Sequence, residues 1–308
     1  MIAGMGHTQI HRIAILVLTI LFAQSGIAEE DVPPSPKTPL LNAIFMGHVD
    51  EVKEILAKDK NAIKEHDAFG QGVLHTGSDA TITQILVDAG ANVNARDEQG
   101  ETPLMHASEE NAAMVKILLD HGADVNARDE HENTALHGAW KGGKDVVALL
   151  VDKGADVNAT NSSGRTPLFN LARSKTPEAM DVLIAKGADV KARDDYQTTP
   201  MHEAAQDGNA ACVEYLIAKG ADPLAKNKAG ESPLHYAAKG KYRWSILGEP
   251  SELDAGYVKV IQILRSKGAD PNEKSSAGES AIDIAKTRST SEQILEMMNR
   301  KLAEGKTD

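Results

Sequence analysis

A chain of 308 residues has room for two ordinary domains; its 41% hydrophobic content suffices for a buried core, and a mere 4% of aromatics suits small, tightly stacked helices built on Ala, Leu and Val. The formal net charge of −12 argues against nonspecific nucleic-acid binding, which needs Lys and Arg to neutralise phosphates, and solubility accounts for the acidity. The single cysteine, Cys212, excludes an intramolecular disulfide; it lies in the apolar stretch Cys212-Val213-Glu214-Tyr215-Leu216-Ile217 and reads as a buried, inert thiol.

The first 28 residues read as three parts. Met1 to Arg12 has no acidic residue and ends in a positive charge, Ile13 to Ala23 is an apolar run of 11 residues, and Gly26-Ile27-Ala28 sets small residues before the acidic Glu29-Glu30-Asp31. That order is the pattern of a secretory signal peptide over 1–28, with cleavage expected after Ala28. The run is shorter than the ~20 residues of a comfortable spanning helix, so no stable membrane insertion is expected after signal removal. A chain starting at Glu29 would carry −13, from 32 basic and 45 acidic side chains. An exported protein without disulfides suits a bacterial periplasm, or secretion from a bacterium, better than a small disulfide-stapled scaffold. Residues 29–37 include Val32-Pro33-Pro34-Ser35-Pro36-Lys37, a proline-stiffened spacer.

From Thr38 onward a phrase recurs: a Thr-Pro-Leu type start, two short apolar stretches, then Gly-Ala-Asp/Asn. Its clearest copies begin at Thr102, Thr134, Thr166, Thr199 and Ser232, at steps of 32, 32, 33 and 33 residues. A period near 33 predicts a stacked array of modules, each burying its apolar face on its neighbours. In the copy from Thr102, the threonine is placed to cap the first helix, with Pro103 in its first turn, where a missing N–H costs nothing. Leu104 and Ala107 face inward, Met114, Val115, Ile117, Leu118 and Leu119 line the second helix, and Gly122 ends it. Asp124 to Glu130 then form a projecting, hairpin-like loop.

These residues carry a resemblance. The motifs TPLMHA at Thr102, TALHGA at Thr134, TPLFNL at Thr166, TPMHEA at Thr199 and SPLHYA at Ser232, with Gly90, Gly122, Gly154, Gly187, Gly220 and Gly268 ending the second helices, resemble the ankyrin-repeat family. The resemblance implies an all-α ankyrin-repeat solenoid of helix–turn–helix units with projecting β-hairpin-like loops, over 38–301 and about eight units including edge units, before a tail at 302–308. It also implies that His75, His137, His202 and His235 join neighbouring turns by hydrogen bonds. Thr38-Pro39-Leu40 opens the repeats, and its second helix ends in Lys58-Asp59-Lys60 without Gly-Ala. Ser280 to Lys301 closes them, with Ile282, Ile284 and Ala285 inward and Arg288, Glu292, Glu296, Arg300 and Lys301 polar.

Two copies depart from the pattern. The second, from Val73-Leu74-His75 to Gly90, is three residues short between its helices. The seventh is long: 48 residues separate Gly220 from Gly268, against 33 for a regular step, and the extra segment, Tyr242 to Gly256, is expected to leave the stack as a loop.

No catalytic, cofactor or metal site is expected, and the chain is not read as an enzyme. His202-Glu203-Ala204-Ala205-Gln206 resembles a zinc-protease HExxH but ends in glutamine. Gly138 to Asp145 nearly fits a phosphate-binding loop, but Asp145 replaces the magnesium-binding hydroxyl and a helix, not a strand, precedes it. The TPLH-type histidines are spread along the repeats instead of converging on one ion.

What the resemblance implies is a non-catalytic surface for a protein partner, made of loop tips and the outer ends of first helices. Projected onto this chain, the tips supply Glu98, Gln99, Glu101, Glu130, His131, Arg165, Tyr196 and Lys228, and the first-helix ends supply Glu109, Lys141, Arg173, Gln206 and Lys239. Tyr242, Arg243 and Trp244 in the long copy are residue types enriched at interface hot spots, while Trp140 replaces a small alanine and reads as a space-filler between repeats. The favoured function is an exported bacterial interaction scaffold, monomeric, with a protein partner and no nucleic acid. The alternatives are an immunity or inhibitor protein for a periplasmic toxin or enzyme, an accessory factor for such an enzyme by analogy with bacterial members of the family, and an enzyme site among Glu249, Glu252 and Asp254.

Overall fold

Most repeats fold around the same local chemistry. A proline at the first helical position and an extended residue before it start the short first helix, as at Thr102 with φ −103° and ψ 160° ahead of Pro103–Ser108. A glycine in the left-handed region ends the second helix: Gly122 at φ +87° and Gly154 at φ +89° turn the chain where a side chain would strain it. The computed structural model describes residues 38–76, 79–109, 111–174, 177–240 and 252–287, together with 296, 298 and 299. Among these residues there are 14 α-helices, and the loops carry only two isolated β-bridges, His66 to Gly72 and Lys274 to Ser280. No helix among them is long and apolar enough to cross a membrane. The chain forms two compact units, the first ending at Glu130 and the second beginning at His131.

In the first unit, helices Pro39–Met46 and Val49–Lys58 open the repeats. As expected, the second of these has no Gly-Ala ending; a 3-10 turn, Lys60–Lys64, follows it, with the Asp59 carboxylate accepting the Asn61 amide. Helix Ala80–Asp88 packs against Val49–Lys58 on one side and Ala112–Asp120 on the other. Among the described residues the short second copy shows no first helix: residues 73–76 are a turn, which keeps Val73, Leu74 and His75 buried without the length a helix needs. Leu40, Val52, Ile82, Leu86, Leu104, Val115 and Leu118 have no exposed surface and form the core. Burial of side chains of this size contributes ~1.5–3 kcal/mol each.

In the second unit, the first helices Ala135–Gly138, Pro167–Leu171, Pro200–Gln206, Pro233–Lys239 and Ala281–Thr287 pack one on the next. Behind them, Gly143–Asp152 packs on Glu178–Ala185, and Ala210–Ala218 on Glu252–Ser266. Ile282, Ile284 and Ala285 are buried in the last described repeat. Asn158 pins successive second-helix ends together, donating to the Gly187 carbonyl (3.0 Å) and accepting the Asp189 amide (3.0 Å).

The long copy corrects one expectation. Residues 252–256 are not loop; they are the first turn of a 15-residue helix, Glu252–Ser266. The helix passes close to a neighbouring turn: a Cβ on Gly256 would lie 2.6 Å from the Gly208 carbonyl oxygen, and glycine permits this approach. Tyr257 then packs its ring against Gly208 and donates its hydroxyl to the Gln206 carbonyl (2.8 Å). Tyr242, Arg243, Trp244 and Glu249 lie outside the described residues, as do the leader and spacer over 1–37 and the tail.

Candidate interaction surface

The loop tips are held by a turn-building Asp or Asn side chain and by backbone bonds. In the first unit, Asp97 accepts the amides of Gln99 (3.0 Å) and Glu101 (2.9 Å) on one carboxylate oxygen, and its own amide reaches the Glu101 carbonyl (3.1 Å). Asp67 builds the same turn there, and Asn161, Asp194 and Asn227 build it in the second unit. Successive tips are joined by one backbone bond per step. Glu98 donates to the Phe69 carbonyl and Glu130 to that of Gln99, both at 3.0 Å. In the second unit Ser162 donates to His131 (2.9 Å), Asp195 to Ser163 (3.0 Å), Lys228 to Tyr196 (2.8 Å) and Ser276 to Ala229 (2.8 Å). The tip backbone is therefore satisfied without the tip side chains. Glu98, Gln99, Glu130, His131, Tyr196 and Lys228 are exposed, Tyr196 at 67%.

The repeat histidines fix the frame below the tips. His202 accepts the Thr199 amide on Nδ1 (3.2 Å), while its Nε2 faces the Glu231 carbonyl (3.2 Å). An amide cannot accept and a carbonyl cannot donate, so the ring is neutral with its proton on Nε2. His75, His137 and His235 make the same pairs, reaching the carbonyls of Glu101, Arg165 and Glu273. Burial pushes His202 down to about 4, and lowers His75 and His235 in the same direction. The threonine before each first helix depends on this histidine. Thr134, Thr199 and Ser232 place their hydroxyls on histidine Nδ1 at 3.0, 2.8 and 2.9 Å. Thr102 and Thr166, followed by Met105 and Phe169, have buried hydroxyls without a hydrogen-bond partner. The expected side-chain cap at Thr102 is thus absent; its amide instead reaches the Met105 sulfur (3.4 Å).

The residue after the histidine position varies most in chemistry, and sequence reasoning did not single it out. It is Thr76 and His106 in the first unit and Gly138, Asn170, Glu203 and Tyr236 in the second. Asn170 donates to the His137 carbonyl (2.9 Å), and Tyr236 lies 3.2 Å from Asn227 and meets the His202 ring edge-on at 4.9 Å. Glu203 and Asp194 take two nitrogens of Arg165 at 3.0 and 3.1 Å, and the guanidinium lies over Phe169. Arg165 is therefore engaged within the fold, as are Glu101 with His106 and Lys239 with Glu231; a partner has to compete for these three.

His106 is the sharpest of these positions. Its Nε2 lies 3.3 Å from Asp97 Oδ2 and 3.2 Å from Glu101 Oε2, and the three side chains form the one cluster with metal-ligand composition among the described residues. Burial opposes its charge, but the hydrogen bonds to Asp97 and Glu101 more than offset this and raise it to about 9. Burial also opposes the charge on Asp97, and bonds from His106, Gln99 and Glu101 hold that carboxyl below the usual range. The histidines spaced a repeat apart supply no ligand atom to this cluster. The cluster arises within one repeat, from a loop and the helix that follows it.

At the first-helix ends of the second unit, Trp140 is half-buried with Lys141 Nζ 5.4 Å and the Arg173 guanidinium 5.5 Å from its ring centre. It is a platform for two cations as well as a filler. Arg173 also pairs with Asp207 (3.4 Å), and Gln206 and Glu109 are half-buried at the corresponding ends of their own helices. Cys212 is buried, and burial pushes its thiol up to about 12, which keeps it unreactive.

The family described as ankyrin repeats (3 copies) matches residues 74–161, 128–194 and 168–275. The chain belongs to the ankyrin-repeat family, whose members are typically non-catalytic scaffolds for protein–protein interaction. No curated protein matches it significantly.

Proposed function

We propose that this chain is an exported bacterial scaffold that binds a protein partner, without catalysis, through its loop tips and first-helix ends. The observation that carries the reading is the separation of frame from face. Turn carboxylates and carboxamides, inter-tip backbone bonds and neutral histidines hold the tips, leaving Glu98, Gln99, Glu130, His131, Tyr196 and Lys228 at the surface. A preformed backbone lowers the ordering cost of association, so polar side chains on it suffice for recognition. Trp140 beside Lys141 and Arg173 adds a hot-spot type of contact on the second unit. Export rests on the leader-like sequence over 1–28.

The acidic tips of the first unit, Glu98 and Glu130, favour a basic target, which suits an inhibitor or immunity protein over a general accessory factor. The test is capture from a bacterial envelope extract with the chain from Glu29 onward as bait. The wild type should retain a specific protein that a variant with Glu98→Lys, Glu130→Lys and Trp140→Ala, unchanged in melting temperature, does not. Identical capture by both would refute this assignment of the surface.

A further inference from the structure

We propose that Asp97, Glu101 and His106 form a binding site for a divalent transition-metal ion of the zinc type at the base of a loop tip. The first ground is unequal hydrogen bonding. His106 Nε2 can carry only one proton, yet two carboxylate oxygens face it at 3.2 and 3.3 Å. One N–H shared between two carboxylates satisfies neither fully, whereas a divalent ion would be ligated by both and by the imidazole.

The second ground is spacing. Ligands at ~2.0–2.1 Å from a tetrahedral ion lie about 3.3 Å from each other. The two distances from His106 are already of this size, and all three ligand atoms lie within 4.8 Å of one another. Only small side-chain movements separate the present arrangement from three-fold ligation.

The third ground is the support behind the ligands. Asp97 commits its Oδ1 to the amides of Gln99 and Glu101, which orients Oδ2 toward His106. His75 donates to the Glu101 carbonyl and packs edge-on against the His106 ring at 5.3 Å, fixing both neighbours. Such outer contacts are what orient ligands in metal sites. One imidazole with two carboxylates selects zinc-like ions over magnesium or calcium, which favour oxygen-only shells with more ligands.

Titration calorimetry of the chelator-treated full chain with zinc chloride tests the site. The wild type should bind one equivalent that is weakened at least tenfold in His106→Gln and in Glu101→Gln, with magnesium giving no comparable binding. Glu101 is 35% exposed, so its variant keeps the test valid if His106→Gln fails to fold. No zinc binding by the wild type, equal zinc binding by a folded variant, or equal binding of magnesium would each overturn the proposal; the last two outcomes would leave, respectively, a different site and a plain acidic cluster.

Discussion

At the scale of single residues, one hydrogen-bond rule sorts the repeats. Where a histidine stands three residues after the threonine, the hydroxyl is paired; where Met105 or Phe169 stands there, it is not. Thr134→Val should therefore destabilise the chain by ~1 kcal/mol, while Thr102→Val should be neutral or stabilising, as read from denaturant midpoints. His202 adds a pH dependence. Its folded value is about 4 against an ordinary 6.5, so between those values the unfolded chain binds more protons. The stability it contributes is complete above pH 6.5 and is lost as the pH falls through 4. The stability gap between wild type and His202→Gln should accordingly shrink from pH 7 to pH 4. Gln197 offers a gain: it adopts φ +61° at a tip position where Gly100, Gly164 and Gly230 stand in other repeats. Relief of ~1–2 kcal/mol of left-handed strain, less the ~0.4–1 kcal/mol entropy of a glycine in the unfolded chain, predicts that Gln197→Gly raises stability by ~0.5–1 kcal/mol.

At the scale of elements, the period alone located most helices, because proline starts and glycine ends recur at fixed offsets. Gly90, Gly122, Gly154, Gly187, Gly220 and Gly268 all lie at φ between +87° and +96°, as their positions in the phrase require. What the period could not show is where copies break it. The turn at 73–76 and the helical 252–256 both occur where residues were lost or gained, and there packing against a neighbour decides the conformation. Gly256 illustrates the difference. A glycine inside a helix ordinarily gains ~1 kcal/mol on change to alanine. Here the methyl would meet the Gly208 carbonyl, so Gly256→Ala should instead lower stability by ~1–3 kcal/mol, and a melting curve distinguishes the two signs. The Asp97–Glu101–His106 cluster was also hidden, because His106 stands at the position where each repeat carries a different residue. Its partners could be identified only once loop and helix were placed together.

At the scale of the whole molecule, membership in the ankyrin-repeat family settles the class of function and leaves the partner to the side chains. The export reading predicts that protein recovered from the envelope fraction begins at Glu29, as N-terminal sequencing would show; a chain still carrying the apolar run would contradict it. The proposed recognition surface is the loop tips and first-helix ends. Hydrogen-exchange and side-chain footprinting of the complex with its captured partner tests this most directly. Protection is predicted around Glu98, Glu130, Tyr196, Lys228 and Trp140; protection confined to the second helices, around Lys116, Glu214 and Lys259, would contradict it.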